Sequence, residues 1–156
     1  MKVEYEFDPF DIAGVDVSSI SSAQRKQILD EIKALVLENV LLDVADQRSP
    51  VTGRTFKGLN PQYKIQKELE GGTGVANLLL SGDLLDSLVV KSAGGSKLLL
   101  TVSEDQMGKA DGHCNFSGES QLPRRPFIPD ESNGETFRPA IRSQIREVID
   151  SILAGE

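Results

Sequence analysis

The sequence predicts an α+β fold, in which a small antiparallel sheet with a central β-hairpin packs against two long amphipathic helices, one towards each end of the chain. Three observations predict it. Val3, Tyr5 and Phe7 alternate with charged residues, the period of a half-buried strand. Ile28, Ile32, Leu35, Val36 and Val40, and later Ile141, Ile145, Val148, Ile149, Ile152 and Leu153, recur at helical spacing. Between them, the apolar runs Leu88–Lys91 and Lys97–Val102 flank Ser92-Ala93-Gly94-Gly95-Ser96, a hairpin signal.

In order along the chain, Pro9 ends the first strand and a loop through Gly14 follows. Ser21 as N-cap, with Gln24 three residues on, makes a capping box for a helix that closes near Asp46. Residues 49–60, within the stretch 47–63 that holds two prolines and two glycines, read as a long surface loop, the kind that is usually functional or mobile. A short helix is expected from the cap Asn60, with Pro61 in its first position, to about Leu69. Ser81 or Asp83 can cap another turn of helix holding Leu84, Leu85 and Leu88. Residues 104–126 lack regular pattern and read as an irregular loop that rejoins the sheet near Phe127 and Ile128. Pro139 stands early in the last helix, where proline is best tolerated.

The 156 residues fit one domain, 1–156, and a folded chain of that length buries roughly 70% of the surface its unfolded form exposes. The net charge of −7 argues against general affinity for duplex DNA or an anionic membrane, since both require a basic face. No apolar run is long enough to span a bilayer, and the first residues lack the apolar core of a signal peptide. One cysteine, Cys114, excludes an intramolecular disulfide and fits a reducing cytoplasm.

The residues that invite a chemical reading each have a plainer one beside it. His113 and Cys114 adjoin, with Asp111 and Glu119 nearby, but a structural zinc site needs four ligands and a thiol dyad needs a histidine brought in spatially. Ser81 lacks the Gly-x-Ser-x-Gly elbow that exposes a nucleophile, and a helix cap is the better role. The glycines of "EGGTGVAN" are not followed by Lys-Ser/Thr and do not make a phosphate loop. Asp83 and Asp86, or Glu68 and Glu70, serve as acid and base only in a cleft that shifts their titration. Arg124 and Arg125 lie between prolines that fix an extended backbone and offer no N–H groups to an anion. One of the two arginines is expected to join an acidic partner: Arg125 as the structural residue, Arg124 as the solvated one. No catalytic, cofactor or metal residue is expected.

Taken together, four stretches form a series. "SPVTGRTFKGLNPQYKIQK" resembles the proline-glycine segment and Leu-Ser/Thr/Asn-Pro-x-Tyr-x-x-x-Lys step of tailed-phage virion morphogenesis proteins, the tail-completion or head–tail joining family. "ANLLLSGDLLDSL" is similar to that family's L-x-x-[ST]-G-x-L-x-x-S-[IL] signature through Leu78 or Leu79, Ser81, Gly82, Leu84 or Leu85, Ser87 and Leu88. "ADGHCNFSG" resembles its histidine loop at His113, with Lys109 where the family has tyrosine, and "PRRPF" resembles its Pro-x-Arg-Pro-Phe motif at Pro123, Arg125, Pro126 and Phe127. The resemblance runs over about residues 49 to 153 and rests on the collinear order of the motifs.

What the resemblance implies is a non-enzymatic structural protein, made in the host cytoplasm and built into the virion at the head–tail junction or tail. Its partners would be copies of itself in a ring, and connector or tail proteins, with neither membrane nor sequence-specific nucleic acid among them. A ring needs two different complementary patches per subunit; Thr52, Gly53, Arg54 and Phe56, and the hairpin tip at Gly94 and Gly95, are the expected contact regions. Two other classes stand beside this one: an acidic host-interacting or inhibitory module that occupies a basic groove on a partner, and a small hydrolase using His113 and Cys114.

Overall fold

A computed structural model describes residues 2–56, 82–120 and 124–155. The fold is α+β. Its elements are β1 (Glu4–Phe7), α1 (Pro9–Ala13), α2 (Ser22–Ala45), α3 (Gly82–Asp86), β2 (Val89–Gly94), β3 (Lys97–Thr101), α4 (Met107–Cys114) and α5 (Pro139–Leu153). Short 3-10 turns lie at Val17–Ser19, Glu104–Gln106 and Glu131–Asn133. The expected helix from Asn60 to Leu69, and the cap at Ser81, fall outside the described residues.

The sheet is three-stranded and antiparallel in the order β1-β3-β2, so the hairpin is joined by the N-terminal strand on its inner edge. Register places Tyr5 opposite Leu100 and Phe7 opposite Leu98. Alternation then sends all four to one face, and each is buried. Phe137 closes that face, standing edge-on to Tyr5 and Phe7 with ring centroids 5.3 and 5.1 Å away, the geometry the ring quadrupoles favour. The Tyr5 hydroxyl reaches the rim and donates to Thr136 Oγ1 at 3.0 Å.

Helix α2 starts as the sequence indicates: the Gln24 N–H donates to Ser21 Oγ at 3.1 Å, satisfying one of the open first-turn donors. Its buried row, Ile28, Ile32, Val36, Val40 and Val44, is spaced strictly by four and fully enclosed. A row spaced by four winds slowly round a helix, and α2 packs against both the hairpin and α5. Helix α5 opens on Pro139 and buries Ile141, Ile145, Ile149 and Ile152. Leu153, expected in that stripe, is instead exposed, because one further residue carries the side chain about 100° past the buried edge.

Four expectations are corrected here. The loop after Pro9 is helix α1: Asp8 accepts from the Phe10 N–H at 2.9 Å and Pro9 takes the first position, so proline starts an element as well as ending one. The irregular stretch 104–126 contains the 3-10 turn and α4, a helix whose glycines 108 and 112 and Asp111 depress its propensity. It forms because Ala110 and Cys114, four apart, are both fully buried. Phe127 and Ile128 enter the core but, among the described residues, pair with no strand. The hairpin tip is also tighter than expected, reduced to Gly95-Ser96, with left-handed backbone at Gly94 and Gly95 and a bulge between Ser92 and Gly94. Ser96 Oγ fastens it by donating to Asp8 Oδ2 at 2.7 Å.

Candidate functional site

Parts of three of the four motif stretches meet where the end of α4, the strap 124–130 and the turn 49–56 adjoin the first turn of α5. Helix α4 ends on Asn115 in a left-handed conformation, which leaves the last carbonyls of the helix in need of donors. The strap supplies them. Arg125 donates its N–H to the His113 carbonyl at 2.7 Å, and Arg124 Nε donates to the Cys114 carbonyl at 2.8 Å. Ser120 Oγ reaches the Gly112 carbonyl at 2.7 Å.

Ser49 is the hub on the other side. Its hydroxyl donates to the Pro126 carbonyl at 2.6 Å and accepts from the N–H groups of Val51 and Thr52, each at 3.1 Å. The turn it organises is closed by the Ser49 N–H on the Arg54 carbonyl at 2.9 Å and the Gly53 N–H on the Ser49 carbonyl at 2.9 Å. Pro50 then accepts from the Arg138 N–H at 2.8 Å, and the Arg138 guanidinium forks onto Asp43, at 2.7 and 3.0 Å, near the end of α2. Glu135 forks onto Arg124 at 2.6 and 2.7 Å while also accepting from the Asp130 N–H. Such bidentate pairs fix orientation as well as charge.

One of the two expected arginine roles changes. Arg124 forms an ion pair with Glu135, its side chain only 33% exposed, and the expectation that it is solvated is corrected. Arg125 heads the fully buried side chains by volume, at 1% exposure, beside the fully buried Phe127. Both are scaffold in position: one holds the strap to its own return, the other sits inside the core.

Cys114 is fully buried, and burial pushes its thiol up to about 12, against a smaller opposing pull from the Phe127 and Ile128 N–H groups. A thiol so placed is not a nucleophile at neutral pH. His113 adjoins it on the last turn of α4, and adjacent helix positions do not face one another, so the pair does not form a dyad. Asp111, though burial opposes its ionisation, is held below the usual carboxylate range by hydrogen bonds from the Ser117 hydroxyl and N–H. Among the described residues no group of three or more His, Cys, Asp or Glu side chains is placed to hold a metal ion. No helix among them is long and apolar enough to cross a membrane.

Of the other motif residues, Gly82 opens α3, Leu85 packs at the edge of the core, and Ser87 Oγ donates to the Leu84 carbonyl at 2.9 Å, closing that helix. Ser81 and Pro123 lie outside the described residues. In the expected contact regions Thr52, Gly53, Arg54, Gly94 and Gly95 are exposed. Phe56 is a correction: it is 7% exposed and belongs to the core, its N–H donating to the Gln47 carbonyl at 2.7 Å. Sequence reasoning missed Ser49, Asp43, Glu135 and Arg138. Asp43 had a legible signal, a carboxylate one residue before Val44, the last member of the apolar row of α2.

Neither a family model, nor a curated protein, nor a solved structure matches the chain.

Proposed function

We propose that the chain is a structural assembly protein of a tailed phage or prophage, acting without catalysis in tail completion or head–tail joining. It would be made in the host cytoplasm and carried into the virion, where it self-associates into a ring and docks onto connector or tail proteins. The observation that carries the reading is the ordered series of motifs. Its support is that the Ser49 turn, the His113 helix end and the Pro126 strap fasten to one another directly, so their residue types are accounted for by mutual support.

A protein whose work is to be held between neighbours needs loops that keep their shape when loaded. The knot provides this: the exposed turn at Thr52-Gly53-Arg54 stands on a buried serine, and its base is tied through Arg138 to α2 and α5.

Deleting the gene from the phage genome that encodes it tests the reading. Filled heads and free tails should accumulate, and supplying the chain in trans should join them; intact infectious particles without the chain would refute the proposal.

A further inference from the structure

Helix α2 carries two flanks of opposite charge. On the side towards α5 runs a groove of about 540 Å³ between Glu31, Leu35, Glu38, Leu42, Gln144 and Val148. A second hollow of about 500 Å³ continues it past Glu147. The groove is braced by the Asn39 amide donating to Gln144 Oε1 at 3.0 Å, and Leu42 stands 59% exposed on its wall. On the side towards β2 a hollow of about 380 Å³ is lined by Arg25, Lys26, Leu29 and Lys33, with Ser92 of the strand and Asp30 as the one opposing charge.

Positions five apart on a helix are separated by about 140° round its axis. Lys26 and Glu31 are such a pair, as are Lys33 and Glu38. The basic and acidic flanks thus straddle the buried row of α2 and look out on different sides of the molecule.

We propose that these flanks are the two halves of one heterologous interface: the Arg25, Lys26 and Lys33 flank of one copy seats on the Glu31, Glu38 and Glu147 groove of the next. This rests on the self-association proposed above and names the surfaces that perform it. Charge complementarity selects a second copy as the occupant. At a net charge of −7 two copies repel in general, and they can approach closely only where local charges oppose. The separation of the flanks selects head-to-tail order. A twofold dimer that satisfied both contacts at once would need both patches on one face, whereas patches on different sides pass the contact from copy to copy. Leu29 then meets the wall formed by Leu35 and Leu42, which covers the exposed leucine.

Two double variants test it. K26E with K33E makes both flanks acidic; E31K with E38K makes both basic. Equal parts of isotope-labelled and unlabelled protein are coupled with a zero-length carbodiimide reagent, and linked peptides carrying one labelled and one unlabelled strand are mapped. Wild-type protein should give links from Lys26 or Lys33 to Glu31, Glu38 or Glu147. Each variant alone should lose at least tenfold in link yield, and an equal mixture of the two should recover it, because each then offers the other both complementary contacts. Raising salt from 0.15 to 1 M, which shortens the screening length from about 8 to about 3 Å, should lower the wild-type yield.

Links confined to other residues, or a mixture no better than its components, would overturn the interface. Co-purification with connector and tail proteins separates this from the broader reading. A chain that binds them without these links loses the interface and keeps the assembly role. One that forms the links and binds neither keeps the interface and loses the role.

Discussion

Replacing Asp43 with alanine should cost far more than its place on a surface helix suggests. Asp43 is 6% exposed, and both its oxygens are taken by Arg138, whose own side chain is only 16% exposed. Removing the carboxylate leaves a guanidinium in a site it cannot readily leave, since the Arg138 N–H is held by the Pro50 carbonyl and its side chain is only 16% exposed. Breaking a buried ion pair from one side costs about 3 to 5 kcal/mol, and the residual exposure of Arg138 places this pair near about 3. With a urea slope of about 2 kcal/mol/M, the unfolding midpoint should fall by about 1.5 M. The melting temperature should fall by about 6 to 12 °C. The double variant Asp43→Ala with Arg138→Ala should be less destabilised than the two single losses added, because no stranded charge remains. A midpoint shift below about 0.3 M for Asp43→Ala, against a slope of that size, would falsify the claim that this pair joins α2 to α5.

Arg125→Ala should lose about 2 to 5 kcal/mol in a denaturant titration, because it empties the largest fully buried side-chain site among the described residues, with Arg124→Ala losing less since that side chain is one-third exposed. Cys114 should resist alkylation in the native protein at pH 8 and react once urea unfolds it; rapid native labelling would contradict its burial. Because its folded value of about 12 lies above the ordinary 9.0, the stability from keeping the thiol neutral is complete below pH 9 and is lost as pH rises towards 12. Cys114→Ala should therefore flatten the alkaline limb of a stability–pH profile. Gly53→Ala should destabilise by about 1 kcal/mol through its left-handed backbone, read as a lower melting temperature.

The parts of the fold that were legible in the sequence are those where one period governs a whole element. The four-residue row of α2, the isoleucines of α5 and the alternation of β1 each repeat often enough to outweigh local exceptions. Helix α4 was illegible for the opposite reason. Its eight residues hold two glycines and an aspartate, and the helix exists because two small side chains find a buried seat and a strap caps its carbonyls. Nothing local encodes those partners, which are Ser120, Arg124 and Arg125 in the chain's own return.

The same distinction governs the arginines. Spacing between prolines identifies an extended strap, but which of two adjacent side chains turns inward depends on the register with which that strap meets α4. Arg125 lends its backbone to His113 and its side chain to the core, while Arg124, one residue earlier, donates Nε to the Cys114 carbonyl and forks onto Glu135. The Arg125 N–H on the His113 carbonyl and the Arg124 Nε on the Cys114 carbonyl together set the strap against the helix end. Moving the strap by a single residue would break these bonds and strand the Ser49 hydroxyl that now holds the Pro126 carbonyl. The local pattern of the strap was therefore readable, while its register became determinate only with the helix end it caps.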